Sequence, residues 1–170
     1  MARNTFYELF ANRQDAIRFA LELGNARLKQ AIKEGAASGE RWPRRMGAII
    51  ESLLDTVVGD PRLAELCLVH GRGFNDAGAP FDPGLVETLA GVIRPARRSS
   101  PKPGPGPRTE ELIAYGVLSV IAERLRREEA GPSRVLAGEL SELAVLPFRS
   151  RRAAGRGGGR SPGPHRETHK

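Results

Sequence analysis

Cysteine occurs once in this chain, at Cys67. A single thiol cannot form an intramolecular disulfide or a cysteine-based metal site, and this economy fits a reducing compartment, so a cytoplasmic location is expected. Aromatic residues make up only 5% of the sequence, so aliphatic side chains must fill the core. No apolar run approaches the roughly 20 residues of a membrane helix, and no membrane association is expected. The opening Met1-Ala2-Arg3-Asn4-Thr5-Phe6-Tyr7 has no apolar signal core. Long β-branched runs are missing, which disfavours sheets. There is no P-loop, no Ser/His/Asp set and no paired-carboxylate arrangement. Gly155 to Arg160 follows no strand and lacks the glycine order of a dinucleotide loop. No enzymatic activity, cofactor or metal is therefore expected.

What the chain does contain is Ala, Leu, Glu and Arg in quantity, all good helix formers, over 170 residues. That length suffices for one domain with a sizeable core. The net charge of +7 is concentrated at one end. Seven basic residues and a single acid, Glu167, fall in 149–170, leaving 20 basic and 19 acidic residues in 1–148. The basicity is thus a property of the tail and does not mark a basic patch on the folded part.

Punctuation divides the chain into about six helices. Asn12 can cap a long helix from Arg13 to about Glu34, with Ile17, Leu21, Leu28 and Ile32 on one face and Phe19, Leu23 and Ala26 on an adjoining one. Two stripes suggest more than one neighbour, and Gly35 and Gly39 read as its stop. Trp42-Pro43 opens a second helix whose stripe is the cleanest in the chain, from Met46, Ile49 and Ile50 to Leu53, Leu54, Val57 and Val58. Asp60-Pro61 and Asp82-Pro83 are cap-plus-proline starts for a shorter third helix, through Leu63, Leu66, Cys67 and His70, and a fourth, through Leu85, Val86, Leu89, Val92 and Ile93. Residues 95–108 hold no acid and almost no apolar side chain, and are expected to be a flexible linker. Thr109 reads as the cap of a fifth helix, with Glu110 and Glu111 in its first turn and an almost wholly apolar circumference to Arg124. A sixth helix runs through Leu136, Leu140, Leu143 and Leu146. Gly, Arg and Pro dominate 149–170, and disorder is expected there. The fold class is all-α.

One stretch carries a family resemblance. Thr5-Phe6-Tyr7-Glu8-Leu9-Phe10-Ala11-Asn12-Arg13-Gln14-Asp15 resembles the end of the helix-turn-helix of TetR/AcrR-family transcriptional regulators, which reads Val-Ser-x-x-Thr-Phe-Tyr-x-x-Phe-x-x-Lys-Glu. Thr5, Phe6, Tyr7 and Phe10 match. Met1 and Ala2 stand where Val and Ser are usual, Arg13 replaces Lys, and Gln14-Asp15 departs mildly from the acidic pair. The Trp42-Pro43 helix, Asp60 to Ala64, Thr109 to Leu112 and the closing Leu146-Pro147-Phe148 are also similar to the family's regulatory domain.

The resemblance implies a division into three parts. Residues 1–12 would be the remnant of a recognition helix, 13–148 a helical ligand-binding and dimerisation domain, and 149–170 a tail outside the likeness. Thr5, Tyr7 and Arg13 would contact DNA phosphates. A helix-turn-helix reads bases mainly from the start of its recognition helix, and that part would precede Met1. The expectation is a chain cut within the helix-turn-helix by a start codon assigned too far downstream, with a valine codon read as Met1. Trp42, Met46, Ile50, Cys67, His70, Phe74 and Tyr115 would line a pocket for a small apolar ligand. The last two long helices would pair with those of a second copy through Leu112, Tyr115, Gly116, Ser119, Leu136, Leu140 and Leu143, with Gly116 and Ser119 permitting close approach. The implied function is a ligand-responsive, homodimeric repressor of transcription. The alternative is a headless dimerisation and ligand-binding module without specific DNA binding.

Several of these residues have plainer roles open to them. Cys67 serves either as a redox sensor or as a small hydrophobe among Leu63 and Leu66. Trp42, His70 and Tyr115 serve equally as packing. His165 and His169 are four apart, a metal-binding spacing only on a folded helix. The Arg/Gly tail either contacts nucleic acid weakly and without sequence preference or solubilises the chain.

Overall fold

In the computed structural model, residues 10–75, 78–100, 104–129 and 134–149 are described. They form six α-helices, and no strand occurs among the described residues. Helix α1 spans Arg13–Ala36. Asn12 is extended, and its side chain accepts a hydrogen bond from the Asp15 amide at 2.9 Å, which satisfies one of the amides a helix start leaves unpaired. The buried face is Leu21, Gly24, Asn25, Leu28, Ala31, Ile32 and Gly35, a helical repeat laid against α2 and α4. Phe19, Leu23 and Ala26 are exposed instead. Both neighbours lie against one face of α1, and the adjoining stripe is uncovered among the described residues.

Helix α2 is Arg44–Gly59, preceded by a cis Trp42-Pro43 bond. Met46, Ile49, Ile50 and Leu53 are wholly buried and Val57 nearly so. Gly35 is not a helix stop. It lies one residue inside α1, and a Cβ there would sit 2.5 Å from Ile49 Cα and 2.6 Å from the Ala48 carbonyl oxygen. Glycine lets α1 and α2 touch backbone to backbone.

Asp60 caps α3, Pro61–Glu65, by accepting from the Leu63 amide at 3.2 Å. The chain continues through a π-helical turn, Leu66–His70, and a 3-10 turn, Gly71–Gly73. Asp82 caps α4, Pro83–Ile93, by accepting from the Leu85 amide at 2.7 Å. Both aspartate-proline starts behave as local chemistry dictates.

The segment expected to be a flexible linker is partly built. Arg94–Ser99 form a 3-10 turn with Ala96 buried. The Arg97 guanidinium then reaches forward, donating to the Pro105 carbonyl at 2.7 Å, to the Gly106 carbonyl and to Glu110 Oε2 at 2.7 Å. Its Nε faces Glu110 Oε1 as an ion pair rather than a directed hydrogen bond. The absence of acid within 95–108 misleads, because the partner carboxylate comes from the next helix.

Helix α5, Thr109–Arg126, starts one residue earlier than a Thr109 cap would place it. Arg108 holds the cap position without a side-chain bond, and the Thr109 hydroxyl donates back to the Gly106 carbonyl at 2.9 Å. Its buried face is Glu110, Ala114, Val117, Leu118, Ile121, Ala122 and Leu125. Helix α6, Arg134–Val145, packs mainly on α2, and the turn Leu146–Phe148 brings Phe148 edge-on to Trp42 at 5.5 Å. No helix of the described residues is long and apolar enough to cross a membrane.

Candidate functional site

The residues expected to surround a ligand do not converge on one cavity. Met46, Ile50 and Cys67 are closed into the core. Trp42 is half-buried and turned toward Phe148. His70 is exposed, with Nε2 3.5 Å from Glu65 Oε1. Phe74 lines a surface cavity of about 360 Å³ beside the first half of α1. Tyr115 packs its ring against Phe81 and borders a different cavity, of about 200 Å³, between α4 and α5. A third, of about 250 Å³, lies under the Arg27–Asp60 ion pair and takes none of the expected residues. The interior is filled by aliphatic side chains, so the apolar positions read as pocket lining serve as packing.

Cys67 is a buried free thiol whose Sγ donates to the Leu21 carbonyl at 3.8 Å. Burial pushes its pKa from the usual 9.0 to about 11, and the nearby Asp82 carboxylate adds to the rise. A neutral, enclosed thiol is a poor nucleophile. In native protein at pH 8, dithionitrobenzoate is expected to label Cys67 only at the rate of unfolding, and at full speed in denaturant. Rapid labelling of the folded chain would restore the redox-sensor role.

The residues expected at a subunit interface divide. Leu136 and Leu140 are buried in the protein's own core, where α6 meets α2, and Tyr115 is half-buried. Leu112, Gly116 and Ser119 are exposed in line along α5, with Leu112 retaining 69% of its surface. Val120 and Glu123 continue this line at helical spacing. On α6, Leu143 is 63% exposed and shares its face with Val135 at 71%. Leu146 follows in the next turn, 59% exposed. Five of the eight exposed large apolar side chains among the described residues thus belong to the last two helices and the turn after them. Scattered apolar residues at a surface are ordinary, but five large ones gathered on two helices and the turn after them are not.

Val120, Val135 and Leu146 were missed as surface candidates. Their signal was available in the repeat that runs from Leu112 through Gly116 and Ser119, and in its counterpart from Val135 to Leu143. At the start of α1, Arg13 is exposed and without an ion-pair partner among the described residues. Thr5 and Tyr7 lie outside the described residues, as do residues 150–170 with His165 and His169. Comparison of the chain with models of protein families, with characterised proteins and with solved structures yields no match.

Proposed function

We propose that the chain is the regulatory and dimerising part of a TetR-type, ligand-responsive regulator of transcription, and that it works as a homodimer. The observation that carries this reading is the pair of exposed apolar rows on α5 and α6. Helices α5 and α6 from each of two copies would bury Leu112, Val120, Val135, Leu143 and Leu146 in a four-helix contact. Gly116 and Ser119 on α5 leave room for close approach, and exposed Arg126, Arg127, Glu139 and Glu142 supply both signs of charge at the rim. The Thr5-Phe6-Tyr7 motif and exposed Arg13 support a nucleic-acid end at the start of α1.

Light scattering coupled to size exclusion tests the pairing. The native chain is expected to elute with twice its chain mass at micromolar concentration. Leu112→Glu combined with Leu143→Glu should yield a folded monomer with unchanged helical circular dichroism, because both side chains are already exposed. A native chain that is monomeric at about 100 μM, a concentration at which even weak dimers form, would remove the main support for the reading.

A further inference from the structure

Asn25 sits on the buried face of α1, only 7% exposed, and its Oδ1 has no hydrogen-bond partner. Buried amide oxygens are nearly always paired, so an orphaned one calls for a donor from outside the chain. Asn25 also lines the cavity of about 360 Å³ between α1 and the turns preceding α4. That size lies within the range of small-molecule sites, which begin near ~300 Å³.

The charges around this cavity are arranged in two sets. Lys29 and Asp82 neutralise each other at 3.3 Å. Arg18 and Glu22, one turn apart on α1, have no ion-pair partner among the described residues. Both are exposed, so a ligand can enter at the cavity mouth, and a shift of the Asn25 side chain brings its closed-off oxygen to it. Leu21 and the half-exposed ring of Phe74 supply an apolar wall.

We propose that this cavity binds a small zwitterion of the α-amino-acid type. Its ammonium would donate to Asn25 Oδ1 and face Glu22, its carboxylate would pair with Arg18, and an apolar side chain would rest on Leu21 and Phe74. A simple amine leaves Arg18 uncompensated. A simple carboxylate leaves the amide oxygen without a donor and meets Glu22 with like charge. The site shares no residue with the exposed rows of α5 and α6, so it stands or falls apart from the dimer.

Isothermal titration calorimetry of the full chain tests it with four probes: L-leucine, L-phenylalanine, 3-methylbutylamine and 4-methylpentanoate. The last two are leucine without its carboxylate and without its ammonium. At least one amino acid is expected to bind, with both single-charge analogues weaker than leucine or undetected, by about tenfold or more. Arg18→Gln and Glu22→Gln should each weaken amino-acid binding by about tenfold while leaving the fold intact, since both side chains are at the surface. Asn25→Leu should abolish binding without lowering the melting temperature, because it removes the orphaned oxygen. The proposal is overturned if neither amino acid binds at about 10 mM, a threshold well above millimolar affinity. It is equally overturned if the analogues match leucine, or if either glutamine variant binds like the native chain.

Discussion

Gly35→Leu is expected to destabilise the protein by about 3 kcal/mol, at the upper end of overpacking effects, because nothing beside Gly35 can step aside. The atoms that a Cβ would meet are Ile49 Cα, the Ala48 carbonyl oxygen and the Ile49 nitrogen, at 2.5, 2.6 and 2.8 Å. All three are backbone atoms of α2. Relief requires α1 and α2 to separate, and Ile32, Ile49, Ile50 and Leu53, the best-buried side chains between them, would lose their packing together. Even Gly35→Ala should be destabilising, although alanine in an open helix is worth about 0.5–1 kcal/mol over glycine. Two other glycines calibrate the effect. Gly91, inside α4, has nothing within 4 Å of a would-be Cβ, and Gly91→Ala should stabilise by about that same 0.5–1 kcal/mol. Gly24 meets Cys67 Sγ and Leu63, side-chain atoms that can shift, so Gly24→Ala should fall between the two. Urea denaturation followed by far-ultraviolet circular dichroism gives the order directly. A Gly35→Ala protein as stable as Gly91→Ala would mean that the helices do not touch as described.

Arg97→Met should cost about 2–3 kcal/mol, more than the loss of an ordinary surface arginine, because it strands the Glu110 carboxylate in the interior. Glu110 is 4% exposed, whereas the Arg97 side chain retains 35% of its surface. The charge that suffers from separation is therefore the acid. The carbonyls of Pro105 and Gly106 lose their donor in the same step. Glu110→Gln keeps an acceptor toward the guanidinium and should cost only about 1 kcal/mol. Trypsin offers a second, more local measurement. Cleavage within 94–108 should accelerate in Arg97→Met, as the segment is no longer tied to the first turn of α5. Equal stability and equal cleavage in the two proteins would reduce this ion pair to surface decoration.

These two sites also mark where sequence reasoning stopped. Starts of helices were legible at Asn12, Asp60 and Asp82, since a cap works through atoms three residues away. The buried face of α2 was legible because its apolar residues occupy one side only. On α5 almost every side chain is apolar or small, so periodicity left the inward face undetermined. The buried set that includes Ala114, Leu118 and Ile121 takes up only one side of that apolar circumference. Glu110 belongs to that set, four residues before Ala114, and its partner lies thirteen residues upstream. Gly35 has the same letter whether it ends a helix or admits a neighbour's backbone. Of the expected interface residues, Leu112, Gly116, Ser119 and Leu143 reach the surface, whereas Leu136 and Leu140 turn inward because α6 leans on α2. Met46 and Ile50 illustrate the corresponding ambiguity for pockets: an apolar side chain lines a cavity or fills it according to what faces it, and here the neighbours leave no space.

Helix α1 has 24 residues and is about 36 Å long. Its buried positions begin only at Leu21, and its firmest hold is the backbone contact at Gly35. The turns from Arg13 to Ala20 touch the core chiefly through half-buried Ile17. Such a rod, gripped at one end, is a lever. A tilt of about 15° at Leu21, where the buried face begins, would carry Arg13, roughly 12 Å away along the axis, through about 3 Å. The cavity beside Arg18, Glu22 and Asn25 lies at the base of that arm. A molecule wedged there would push on the arm where it leaves the core, and whatever chain is joined ahead of Arg13 would be swung by the width of an atom.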